Sequence, residues 1–196
     1  SMDHYHWENS ASIESWYGKL TGHFGESSAV SAFYLKNVQG LDGNSVDPSI
    51  KGAHVHAWGA GATIDLGDSG LNIDGDFIQT RGNRDLGHAN LWTAGLNYGK
   101  VDLNKPGSFT LGVHYVRADA GAYLLGNSAL DMTDQLEYGW DNGTGVKFWV
   151  AKAGVAVQKN VELDAYYNFG AKAFDRYDDS TKDPANTWGV ELNYAF

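Results

Sequence analysis

The sequence predicts an all-β fold, an antiparallel transmembrane β-barrel with nine or ten visible strands that is potentially the C-terminal part of a larger barrel. Three observations predict it. Apolar and polar residues alternate with period two along most segments, the links between segments are short and long in turn, and no apolar run approaches the roughly 18 to 20 residues of a membrane-crossing helix. The 196 residues include 25 Gly and 13% aromatics but only 3 Pro, a balance suited to short strands joined by turns. They fit one domain, residues 1–196, with 1–12 as a poorly defined N-terminal segment. A mean hydropathy of -0.39 is compatible with spanning, because only every second residue of a barrel strand meets lipid.

Taken in order, Ile13 to Phe24 and Ser28 to Val38 alternate untidily, as does Ala53 to Leu66, where His54 and His56 share parity with Trp58, Ala60, Ala62 and Ile64. Leu71 to Arg81 sets Leu71, Ile73, Gly75 and Phe77 against Asn72, Asp74, Asp76 and Ile78. Leu91 to Val101 and Ser108 to Arg117 sort as cleanly. Gly145 to Gln158 is irregular again, because Lys147 and Lys152 have opposite parity; a bulge or a glycine bend is the expected remedy in both irregular cases. Val161 to Phe174 and Thr187 to Phe196 keep strict period two.

The links sort by length. Gly25 to Ser27, Gly67 to Gly70, Asp102 to Gly107 and Lys159-Asn160 are short, whereas Gln39 to Gly52, Gly82 to Ala89, Ala118 to Thr144 and Asp175 to Asn186 are long and polar. Short turns at one end and long loops at the other are the outer-membrane barrel layout. Counted back from a C-terminus at the short-turn end, nine strands start at the long-loop end, so either His4 to Asn9 adds a tenth strand or the chain begins inside a larger barrel.

Trp92-x-Ala-x-Leu-Asn-Tyr98 and Trp188-x-Val-x-Leu-Asn-Tyr194 are near copies. Trp and Tyr at the two ends of a strand fit the two interfacial aromatic belts, with aliphatics in hydrocarbon between them. The lipid-facing belt is therefore assigned to Trp92, Tyr98, Trp188, Tyr194 and Phe196, and no amphipathic helix is visible to cover these rows in a soluble alternative. The polar alternates Lys19, His23, Asp74, Asp76, Thr93, Asn97, His114, Glu162, Asp164 and Glu191 are the expected lumen-facing set. In an open pore their carboxylates would favour cations; in a small barrel the same groups would pair and fill it.

The final Tyr194-Ala195-Phe196 is similar to the signal by which outer-membrane proteins engage the barrel-assembly machinery, although Glu191 stands where that signal often has Gly. Asp102-Leu-Asn-Lys-Pro-Gly-Ser-Phe109, Gly145 to Asn160 ending in Val-Gln-Lys-Asn, and Val161-Glu-Leu-Asp-Ala-Tyr-Tyr167 resemble the outer-membrane porin family that carries an N-terminal S-layer-homology domain. The likeness covers about residues 50–196. It implies a bacterial outer-membrane location, outer-membrane lipid as surroundings, and passive diffusion of small hydrophilic solutes or ions; assembly as a homotrimer, common among porins, is compatible with it. The family's S-layer-homology domain and stalk are not in this sequence, so their tethering role is not carried over.

Other classes receive little support. A net charge of -10 and a pI near 4.9 argue against nucleic acid, and the absence of Cys removes thiol catalysis and thiolate metal sites. His4-x-His6 and His54-x-His56 have metal-compatible spacing but no fixed partner, and the acidic runs Asp131, Asp134, Glu137, Asp141 and Asp175, Asp178, Asp179, Asp183 lack calcium-loop spacing. No cofactor or metal is expected. No Gly-x-Ser-x-Gly, His-Glu-x-x-His or phosphate loop occurs, so the chain is not expected to be an enzyme, a lipid hydrolase on a barrel being the residual catalytic class. The main alternative is a small non-conducting barrel with a structural or adhesive role.

Overall fold

In the computed structural model residues 15–25, 27–37, 55–82, 88–122, 130–141, 143–175 and 180–195 are described. They form nine strands, β1 (Ser15–Phe24), β2 (Ser28–Asn37), β3 (Val55–Asp65), β4 (Leu71–Gly82), β5 (His88–Gly99), β6 (Phe109–Ala118), β7 (Gly145–Gln158), β8 (Val161–Phe174) and β9 (Thr187–Tyr194), with one helix, α1 (Leu130–Asp141). All nine strands lie in a single antiparallel sheet whose spatial order is the chain order. Every sequence-expected strand is present within a few residues of its expected ends. The proposed tenth strand at His4 to Asn9 lies outside the described residues, as do His4, His6, His54 and Phe196.

Period two explains why these segments pair as they do. Most register pairs on the apolar face set apolar opposite apolar, as in Phe77 with Trp92 and Leu163 with Leu192, and a one-residue slip would turn every Trp and Leu of a strand to the other side. Tight turns fix the registers: β3 and β4 are joined by a 3-10 turn at Gly67–Ser69 closed by Gly70 in the left-handed region (φ 69°), where a β-carbon would be strained. Between β5 and β6 the Asp102 carboxylate accepts the Asn104 amide (3.0 Å). That bond, with Lys105 beside it, holds the Asp102 carboxyl below its usual range.

Both sequence irregularities resolve differently from expectation. β3 pairs without a register shift on both sides, so no bulge rescues His56; it simply stands on the apolar face beyond Trp58. Lys147 and Lys152 likewise face opposite sides of a β7 that is regular against β6. The shifts occur against β8, between Lys147 and Trp149, where Gly170 has a φ of 63°, and between Ala156 and Gln158.

The expected closed barrel is not formed by the described residues. β1 pairs only with β2 and β9 only with β8. With nine alternating strands, β1 and β9 both run from the long-loop end to the short-turn end, so an antiparallel ladder cannot join their outer edges directly.

Helix α1 is the element the sequence reading missed. It lies within the connection from β6 to β7 and packs on β7, β8 and β9. Leu136 is buried there with Val116, Val146, Phe148, Val150 and Ala171. Gly139 permits the approach, since a β-carbon on it would meet the Thr144 carbonyl at 3.0 Å and the Val146 methyls at 3.1 to 3.3 Å.

Candidate functional site

The registers sort the sheet into two faces. One carries the expected lumen set, the other the expected belt, and the two never mix across the nine strands.

On the polar face, the central cluster joins β4, β5 and β6. Asn97 Nδ2 donates to Asn72 Oδ1 (2.9 Å) and to Asp74 Oδ1 (2.5 Å), while Asn97 Oδ1 meets His114 Nε2 at 2.9 Å. His114 Nδ1 stands 3.4 Å from Asp74 Oδ2, completing a ring of three strands tied by four side chains. These side chains lie flat because the neighbouring positions are glycine: a β-carbon on Gly95 would run into the His114 imidazole, and one on Gly112 into the Asn97 amide. Thr93 accepts the Asp76 backbone N–H (3.2 Å). A groove of about 470 Å³ runs from here toward β1, bordered by Lys19, Thr21, Ser31, Thr63, Asp74 and Asp76.

The remaining expected lumen residues sit apart from that cluster. Glu162, Asp164 and Glu191 gather on β8 and β9, where Asp164 is opposite Glu191 and accepts Asn193 Nδ2 at 2.9 Å. His23 is exposed near the short-turn end of β1. Lys152, which the sequence reading noted for its parity but did not place in the lumen set, lies opposite Gly112 and so between the two acidic groups.

The polar face is polar over only part of its length. Near the long-loop end it carries Leu91, Val116, Ala118, Val146, Phe148 and Val150, and α1 covers this part. The buried Gln135 of α1 donates to the Ala185 carbonyl (2.9 Å) and to Thr187 Oγ1 (3.3 Å), and Asn168 Nδ2 donates to the same hydroxyl (3.0 Å). The signal was present in β7, where Val146, Phe148 and Val150 are apolar at the parity that elsewhere faces the polar side.

The opposite face is apolar, and among the described residues nothing covers it. Leu20 is 79% exposed, Trp16 71%, Trp188 73% and Val190 59%, values that large apolar side chains reach only where nothing packs on them. Each strand contributes an aromatic residue toward the long-loop end: Trp16, Tyr34, Trp58, Phe77, Trp92, Tyr115, Trp149, Tyr167 and Trp188. Neighbours touch with their rings tilted by 47° to 60°, the centroids 5.3 Å apart for Trp58 and Phe77, 5.2 Å for Trp92 and Tyr115, and 4.9 Å for Tyr115 and Trp149. At the short-turn end Phe24, Tyr98, Phe109 and Tyr194 form a second, sparser row. Of the expected belt, Trp92 and Trp188 thus belong to one row and Tyr98 and Tyr194 to the other.

The long-loop row is not level in register. From β1 to β9 it steps two residues toward the short-turn end four times over eight strand pairs, one residue per pair on average and always in one direction. With a rise of roughly 3.3 Å per residue and strands roughly 4.8 Å apart, that drift is the trace of a plane crossing strands tilted by about 35°.

A scan against protein-family models finds no match, and a search of curated proteins finds none either.

Proposed function

We propose that the chain forms all or most of a transmembrane β-barrel of the bacterial outer membrane and serves as a channel for passive diffusion of small hydrophilic solutes or ions. The observation that carries this reading is the exposed apolar face. It runs unbroken over nine strands, and its aromatic row follows the line that a flat lipid interface draws across tilted barrel strands. The resemblance to porins with an N-terminal S-layer-homology domain belongs to the same proposal. So do delivery by the barrel-assembly machinery through β9 and assembly as a homotrimer.

Hydrocarbon tolerates no open sheet edge, so the spanning form must satisfy the outer edges of β1 and β9. An all-antiparallel closure needs an odd number of further strands between them. The carboxylates of the polar face would then line a water-filled interior and favour cations.

The second reading, a non-conducting barrel with a structural or adhesive role, is favoured by one observation: α1 and the apolar patch under it fill the long-loop end of the polar face. Planar-bilayer recording of the purified chain separates the two. Steady single-channel currents support the channel; insertion without current supports the plugged barrel. A chain that stays monodisperse in plain buffer and shows no heat-modifiable band refutes both.

A further inference from the structure

Charge is segregated between the faces of the sheet as strictly as hydropathy. Among the described strands every carboxylate, Asp65, Asp74, Asp76, Glu162, Asp164 and Glu191, lies on the polar face. The apolar face has none, yet it carries a basic residue in each of seven consecutive strands, the cations Lys36, Arg81, Arg117, Lys147 and Lys172 together with the imidazoles of His56 and His88. All seven stand at the long-loop edge, past the aromatic row of their own strand. Two of them, His56 and Lys147, are the residues that made the sequence pattern of β3 and β7 look irregular.

The registers bring these groups together. Lys36 is opposite His56, His56 opposite Arg81, and Arg81 opposite His88; on the other side of β5, Arg117 is opposite Lys147 and Lys147 opposite Lys172. The Arg117, Lys147 and Lys172 run opposes like charges directly, which destabilises a sheet unless something anionic lies across them. The chain supplies part of this, with Asp119 at 3.8 Å from Arg117 and Asp183 at 2.8 Å from Lys172. Lys36, Arg81 and Lys147 point from an exposed apolar surface in a molecule whose net charge is -10.

We propose that this edge is a binding band for lipids with phosphorylated headgroups in the leaflet at the long-loop end. The proposal rests on the membrane reading above and deepens it. Acyl chains would lie against the apolar face, and the phosphates would sit beyond the aromatic row, at the level of the cations two to five residues further along each strand. A free phosphate or a soluble polyanion would have no use for the greasy surface immediately below, so the lipid is the occupant that satisfies both halves of the feature.

The test uses the whole chain refolded in zwitterionic detergent micelles and titrated with fluorescent diphosphoryl lipid A. The wild type is expected to bind it in a salt-sensitive way. Each cation is worth roughly fivefold, so the K36Q/R81Q/K147Q variant should bind on the order of 100-fold more weakly, and R81Q alone roughly fivefold. The single variant keeps the proposal open to refutation if the triple one does not fold. K100Q/K105Q/K159Q, which removes three lysines from the short-turn end, should bind as the wild type does. The proposal is overturned if the triple variant keeps its affinity, if the turn variant loses as much, or if inorganic pyrophosphate displaces the lipid. A wild type that folds in micelles and ignores lipid A overturns the band alone; one that needs no detergent overturns the membrane reading as well.

Discussion

Leu96 and Leu192 occupy equivalent places between the aromatic rows, each followed by an Asn on the polar face, and both leucines are more than 40% exposed. If lipid covers them, Leu96→Arg or Leu192→Arg should cost on the order of 2 to 4 kcal/mol of folding free energy in vesicles, measured by urea titration. Asn193→Arg should be far milder, because Asn193 is exposed on the polar face and makes one bond, to Asp164. Asn97 is different, and sequence parity alone gave no sign of it: its amide bonds to both flanking strands, to Asn72 and Asp74 of β4 and to His114 of β6. The clue is in the glycines. Gly95 and Gly112 look like weak strand formers, yet they are the floor on which His114 and Asn97 lie. Gly95→Val should therefore displace the His114 ring and destabilise the fold by roughly 1 to 3 kcal/mol, by the same titration. A milder effect than Leu96→Val would contradict the packing described.

At the level of elements, strands were legible and the helix was not, for one physical reason. A half-covered strand writes its environment into every second residue, so nine segments could be read directly. Helix α1 instead buries a narrow patch around Leu136 and Gly139 within a polar connection, and the strands it packs on are β7, β8 and β9. Its expected influence on transport is direct. Deleting residues 130–141 should raise single-channel conductance if α1 narrows the pore, and Gln135→Ala, which breaks the bonds to Ala185 and Thr187, should make the current noisier without closing it. Unchanged current in both would place α1 outside the conducting path.

For the molecule as a whole, the sequence revealed the alternation of short and long connections but left closure open, because two parallel outer edges cannot meet in an antiparallel ladder. It also disclosed both faces without showing that charge divides between them. The carboxylates confined to the polar face predict a cation-selective current. Neutralising Asp74 and Asp76 together as D74N/D76N should lower the K⁺ to Cl⁻ permeability ratio, read from reversal potentials under a salt gradient. A ratio that does not move would mean that ions pass elsewhere or not at all.

Every strand of this sheet finds its partners among its immediate neighbours in the chain. A hairpin can thus be inserted or lost without re-pairing any other ladder, and the circumference of such a wall changes in increments of two strands. The matching Trp-x-Ala/Val-x-Leu-Asn-Tyr stretches of β5 and β9 are what growth by copying a module would leave behind. Width is then a variable that gene duplication can tune while the aromatic line and its tilt stay as they are.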